Sequence, residues 1–234
     1  MSRRIAIYLT DTWRDARVAG FDNYAQKFER LLGPHMPDTV FQHFDVVEGD
    51  FPVDPTAFDG VVITGSSANV TENPAWLNEL LDHIRQIDAA KVKLFAVCFG
   101  HQAVAVALGG RVEFRDVVLG SPAMQVLERQ DWMQPFLDGP RIFAGNFQQV
   151  VDLPPSLTLI GTSAQCRNVM AVKGRHILSL QFHPELSAKY MHNYFNHAGE
   201  DVPDDILTLA KQEVDQGSDG NVIGMWAAKF LLGR

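Results

Sequence analysis

At 234 residues the chain is long enough for one α/β domain with short additions and a complete core. Apolar residues make up 46% of it, but no run approaches the roughly eighteen needed to cross a bilayer, so no transmembrane segment is expected. The formal charge of −8 excludes broad phosphate-backbone binding, so neither nucleic acid nor an anionic membrane surface is an expected partner.

Arg3-Arg4 followed by Ile5-Ala6-Ile7-Tyr8-Leu9 has the outline of a signal peptide, but the apolar run is too short and meets Thr10-Asp11. It reads instead as a first core strand over 4–9. Further strands are expected over 40–46, 60–64 and 92–97, alternating with helices over 23–32, 74–88 and 99–108. That alternation predicts a doubly wound, mainly parallel sheet flanked by helices. Asn73-Pro74 reads as the N-cap and first-turn proline of the second helix, and Gly109-Gly110 stops the third.

From 111 onward the signals change. A β-rich stretch over 111–128 is followed by strands at 141–144, 157–162, 168–173 and 176–182, with no room for crossover helices. A small antiparallel extension of the sheet is therefore expected. Helices over 186–196, 204–213 and 222–232 end the chain, the second opened by Asp201-Val202-Pro203-Asp204-Asp205, which reads as a capped start. Residues 1–198 are assigned to the α/β domain and 199–234 to a helical extension packed on it. Val222, Ile223, Trp226, Phe230 and Leu231 give the last helix an apolar face, suited to the domain or to another copy in a homo-oligomer.

The chemistry-bearing run is Leu94-Phe95-Ala96-Val97-Cys98-Phe99-Gly100-His101-Gln102. A β-prone stretch ends at a cysteine and an alanine-rich helix begins behind it. This places Cys98 on a sharp strand-to-helix turn at the C-terminal edge of the sheet, the position from which a nucleophile projects. The unpaired N–H groups of the first helical turn favour negative charge on the sulfur. The competing reading is a cysteine packed as a small hydrophobe. Far downstream, Gln181-Phe182-His183-Pro184-Glu185 follows a core strand. Residues two apart in an extended segment face the same side, so Glu185 can orient His183. A cysteine needs a base, and that base needs a partner that fixes its tautomer. Cys98, His183 and Glu185 supply the three roles.

Together these segments resemble the class I (triad) glutamine amidotransferases, including the GMP-synthase-type glutaminase domain. The elbow C-x-G-x-Q stands as Cys98-Phe99-Gly100-His101-Gln102, and H-P-E stands as His183-Pro184-Glu185. The loop Ile63-Thr64-Gly65-Ser66-Ser67 matches the family's S-G-G-P segment with Ser66-Ser67 in place of Gly-Pro. The resemblance covers about residues 5–195 and implies a flavodoxin-like fold and hydrolysis of the γ-carboxamide of glutamine through a γ-glutamyl thioester. It further implies that Cys98 is the nucleophile, His183 the general base and acid, and Glu185 its orienting partner. The backbone amides of Ser66 and Phe99 form the implied oxyanion hole, and Gly65, Gln102, Asn146 and Phe147 the implied substrate contacts.

Family members of this kind need no metal or organic cofactor and pass ammonia to a synthase, which here would be a separate partner subunit, since the chain carries no ATP-pyrophosphatase motif or P-loop. In the segment aligned with S-H-G-D-x-V, Asn146 and Gln148 replace the histidine and the aspartate. Residues 60–114 also resemble the γ-glutamyl peptidases, which use the same triad on γ-glutamyl peptide bonds and require no partner. A non-catalytic regulatory module is the third reading, disfavoured because no triad residue is lost.

The two cysteines, Cys98 and Cys166, are expected to stay free in a reducing cytoplasm, with Cys166 structural. His101 reads as a supporting or surface residue rather than a rival base. His192 and His197 are badly spaced for a shared metal, and no metal site is expected. Trp13, Arg14 and Arg17, after the first strand, are placed either along the cleft or on the surface.

Overall fold

Ile5, Ala6, Ile7 and Tyr8 are all fully buried, as only a strand covered on both faces can be. In the computed structural model, which describes residues 2–11, 20–197 and 202–234, these side chains form the middle of β1 (Arg3–Leu9). Trp13, Arg14, Arg17 and the side chain of His197 lie outside the described residues.

β1 pairs in parallel with β2 (Thr39–Asp45) and β3 (Gly60–Ile63), β3 with β4 (Lys93–Val97), and β4 with β10 (Ile177–Leu180). Beyond β10 the sheet turns antiparallel through β9 (Met170–Lys173), β8 (Thr158–Thr162) and the two-residue β6 (Gln125–Val126). The complete order is β2-β1-β3-β4-β10-β9-β8-β6. This is the mainly parallel sheet flanked by helices that the sequence predicts. The antiparallel part, however, is built in two places. β5 (Arg111–Gly120) and β7 (Ala144–Asp152) pair only with each other, as a separate ribbon.

The two-residue period of the strands sorts the core into two layers. Ile5, Ile7, Val62, Phe95 and Leu178 face α1 (Tyr24–Leu32) and α6 (Gly220–Leu232), meeting Phe28, Leu31, Trp226 and Phe230. Ala6, Tyr8, Val61, Ile63, Leu94 and Ala96 face α2 (Leu77–Ala90) and α3 (Phe99–Ala107), meeting Leu80, Ile84 and Val104. A third cluster joins α4 (Ala188–His197) and α5 (Asp204–Asp215) to Leu119 of the ribbon and to Phe143. No described helix is long and apolar enough to cross a membrane.

Three local expectations are corrected. Asn73 does not cap α2. It ends a short 3-10 turn with φ +49°, a left-handed conformation that asparagine tolerates, and α2 begins at Leu77 behind Trp76 with no side-chain cap. α5 starts after Pro203, again without a side-chain cap, although Asp204 and Asp205 in its first turn complement the helix dipole. The strand expected at 141–144 actually runs over 144–152, because Phe114, Val112 and their neighbours in β5 offer it a ladder no local pattern reveals. By contrast, Asn23 caps α1 with a full capping box: its side chain accepts from Gln26 N at 2.9 Å, and Gln26 Oε1 accepts from Asn23 N at 2.9 Å.

Candidate active site

Cys98 stands between β4 and α3 with φ +51° and ψ −103°, a region that a side-chain-bearing residue enters only when its surroundings enforce it. Three main-chain bonds do so. Cys98 N donates to Leu180 O at 2.8 Å, Gln102 N to Cys98 O at 3.0 Å, and Gly100 N to Thr64 O at 3.2 Å. Gly100 is required here, since a Cβ would lie 2.8 Å from Ile63 O. The strand end is thereby locked to both neighbouring strands, and the sulfur is turned toward the sheet edge.

His183 N donates to Phe143 O at 2.7 Å, which fixes the chain just beyond β10. Its Nδ1 meets Glu185 Oε1 at 2.7 Å, and both residues are buried. With Nδ1 engaged, the other ring nitrogen is left for the Cys98 sulfur, which lines the same cavity. Burial opposes charge on His183, but the Glu185 carboxylate and the Cys98 sulfur override it and hold the imidazole well above its usual range. Gln181 Nε2 donates to the sulfur at 3.6 Å.

The Thr64-Gly65 turn lies against this pair and is tied to the end of β1. Thr10 N donates to Thr64 Oγ1 at 3.1 Å, and Thr10 Oγ1 donates to Gly65 O at 2.9 Å. Among the described residues, no protein acceptor takes the main-chain N–H of Ser66 or of Phe99. Ser66, Cys98, Phe99 and His183 line one cavity of 180 Å³. Its polar end is made by Gln102, Asn146 and Gln148, and its apolar wall by Tyr24, Phe147, Tyr190, Met191 and Tyr194. Among the described residues, no aspartate, glutamate, lysine or arginine lines it. No group of three metal-ligating side chains occurs among the described residues.

The family model for glutamine amidotransferase class-I matches residues 38–198, more than half of the chain.

The chain belongs to this family.

Among its relatives, γ-glutamyl peptidase 2 of Arabidopsis thaliana is 28% identical over 202 residues, covering 82% of this chain and 81% of the relative. The glutamine-hydrolysing GMP synthase of Psychrobacter arcticus is 23% identical, covering 66% of this chain but only 31% of the longer enzyme. The fold matches the crystal structure of a glutamine amidotransferase from Thermotoga maritima with a TM-score of 0.75 over 99% of both chains, at 18% identity. The mainly parallel sheet and helices of this class I amidotransferase chain are thus those of the family fold.

Each residue read from the sequence for the triad, the oxyanion hole or substrate contact lies at or beside this cavity. Gly65 carries no side chain because a Cβ there would fall 2.8 Å from His183 Cε1. Gln102 Nε2 donates to Gln148 O at 2.9 Å and to Gln181 Oε1 at 3.2 Å, bracing α3 against β7. Asn146 Nδ2 donates to the same carbonyl at 3.3 Å, while Gln148 Nε2 donates to Thr71 Oγ1 at 2.5 Å. Asn146 Oδ1 and Gln148 Oε1 are buried with no protein partner among the described residues. His101 is not on the surface. It is fully buried, its Nδ1 lies 2.9 Å from Ser179 Oγ, and burial pushes it down to about 4, so it is a neutral packing residue. Cys166 is buried and free, its thiol pushed up to about 12 by burial. His192 Nε2 pairs instead with Asp215 Oδ1 at 2.8 Å.

Four contributors are missed by the sequence reading: Gln181, Thr10, and the α4 pair Tyr190 and Tyr194. Gln181 was within reach, since it precedes His183 by two residues in an extended segment. Tyr190 and Tyr194 are four apart on the helix that follows His183, a spacing that places them on one face. Thr10 carries no signal of its own.

Proposed function

We propose that the chain is a cysteine-dependent hydrolase of γ-glutamyl amides, with Cys98 as nucleophile, His183 as general base and acid, and Glu185 as its orienting partner. The observation that carries the reading is the 2.7 Å pairing of His183 Nδ1 with Glu185, together with the shared cavity that His183 and Cys98 line. Cys98 thiolate attacks the δ-carbonyl. The oxyanion that develops accepts hydrogen bonds from the Ser66 and Phe99 amides, each worth on the order of 10²- to 10³-fold in rate. His183 imidazolium gives its proton to the departing amine, leaving a γ-glutamyl thioester. The same histidine then takes a proton from water, which hydrolyses the thioester to glutamate and restores the thiol.

Gln102, Asn146 and Phe147 hold the glutamyl part in this reading, with the free amide oxygens of Asn146 and Gln148 available to its ammonium. The likeness to γ-glutamyl peptidases over four fifths of the chain favours γ-glutamyl peptides as substrates, cleaved without a partner. The second reading is glutamine hydrolysis with ammonia passed to a separate synthase subunit, supported by the likeness to GMP synthase. Glutamate release from free glutamine and from a γ-glutamyl dipeptide panel, with Cys98→Ala as blank, decides between them. Turnover of peptides but not glutamine supports the first reading, and glutamine preference with ammonia release the second. Activity surviving in Cys98→Ala overturns both.

A further inference from the structure

Among the described residues, Lys27 is the only lysine or arginine that is buried, and Glu185 the only buried carboxylate. Lys27 is 2% exposed, on the face of α1 that otherwise carries Tyr24, Ala25, Phe28 and Leu31 into the core. A buried ammonium is costly unless something in the fold answers its charge. Here its Nζ lies 3.9 Å from the ring centroid of Tyr190 and 4.7 Å from that of Tyr24, against the negative faces of both rings. Those same rings wall the cavity above Cys98 and His183. Behind them, Lys27 and Glu185 line a second cavity together with Pro184 and Leu186. Glu185 gives one oxygen to His183, and its Oε2 has no hydrogen-bond partner among the described residues.

We propose that Lys27 is a positioning residue for the triad, its buried ammonium acting through Glu185 and clamping the Tyr24–Tyr190 wall of the cavity. The inference rests on the triad reading above. A cation lining the same cavity as Glu185 makes the imidazolium of His183 a readier proton donor. It also orders the two tyrosines that a substrate must pass. Among the described residues, the charged and titratable groups facing Lys27 are Glu185 from the segment after β10, Asp11 from the end of β1, Tyr24 on its own helix and Tyr190 on α4. Arg30, one turn along α1, is exposed and paired with Asp22. Burial lowers Lys27 to about 8 while Glu185 and Asp11 pull it back up, and burial keeps both tyrosines protonated.

The test is the rate of Cys98 alkylation by iodoacetamide from pH 5 to 10, mapped by mass spectrometry, which needs no substrate. Removing a nearby cation makes a thiolate and an imidazolium titrate higher and higher respectively, so in Lys27→Met and Lys27→Gln the curve should move up by roughly 0.5–1 pH unit. At the acid end that is about 3- to 10-fold slower alkylation. Lys27→Arg, which keeps the charge but stays protonated across the whole range, should leave the acid limb of the curve where the wild type has it and remove any inflection near pH 8. A merely structural lysine would change thermal stability without moving the curve. Unmoved curves in folded Lys27→Met and Lys27→Gln overturn the proposal. If neither neutral variant folds, wild type against Lys27→Arg decides it: loss of a second inflection near pH 8 supports the proposal, and identical curves overturn it. Failure of the hydrolase reading looks different, as absent glutamate release with the alkylation shift intact.

Discussion

A Cβ placed on Gly65 would lie 2.8 Å from Cε1 of His183 and 3.5 Å from Cβ of Cys98. The glycine is therefore the space in which the imidazole sits, and its identity is set by a residue more than a hundred positions away. Gly65→Ala should push the ring out of line with the sulfur while leaving the β3 ladder intact. A displacement near 1 Å is worth about 10²-fold in rate. Glutamate release should fall by that order with circular dichroism unchanged. Full activity would show that the ring has room to move.

Glu185→Gln should lower turnover by about 10²- to 10⁴-fold, the usual worth of a general acid–base partner. The stability effect has a definite sign. Although burial works against it, His183 is raised in the folded state by the Glu185 carboxylate and the Cys98 sulfur, from about 6.5. The stabilisation is thus complete below about pH 6.5 and is lost as pH climbs through the raised value. Wild-type melting temperature should decline on the alkaline side, and Glu185→Gln should flatten that decline. Calorimetry across pH 6 to 10 measures both.

Asp88 near the end of α2 receives His176 Nε2 at 2.8 Å and Lys173 Nζ at 2.7 Å, pinning the helix to the β9–β10 hairpin. Burial pushes its carboxyl up, but the two donors outweigh it and the net shift is downward. A depressed carboxyl stabilises above its unfolded value of about 3.8 and ceases to do so as pH falls through the folded one. Asp88→Asn should cost about 1–2 kcal/mol at neutral pH, nothing at low pH, and leave activity unchanged. Urea melts at pH 7 and pH 3 provide the comparison.

Trp226 of α6 is fully buried, and its Nε1 donates to Pro135 O at 2.8 Å. It packs in the same core as Phe28 and Phe95. Trp226→Ala should cost about 3–5 kcal/mol and shift one cooperative transition, seen alike by fluorescence and circular dichroism. Two separate transitions would mean that the C-terminal helices melt as a unit of their own.

The strand–cysteine–helix elbow and the His-Pro-Glu segment were legible in the chain because each is a local pattern: a β-prone run, a break and a helix in one case, a two-residue period in the other. The same holds for the alternating elements that set the parallel sheet. Asn73 was misread for the same reason, since capping and left-handed turn-ending draw on the same side chain and only the neighbouring chain decides between them. What tertiary structure alone decided is the pairing of distant segments. β7 exists because β5 lies beside it, Thr10 matters because β1 ends next to β3, and Lys27 shares a cavity with Glu185 only when α1 covers the sheet. Local propensity fixes where an element begins and what it can carry. Which side chains share a cavity is fixed by the sheet order β2-β1-β3-β4-β10, which brings residues 10, 65, 98 and 183 to one edge at the cost of chain entropy that only the whole core repays.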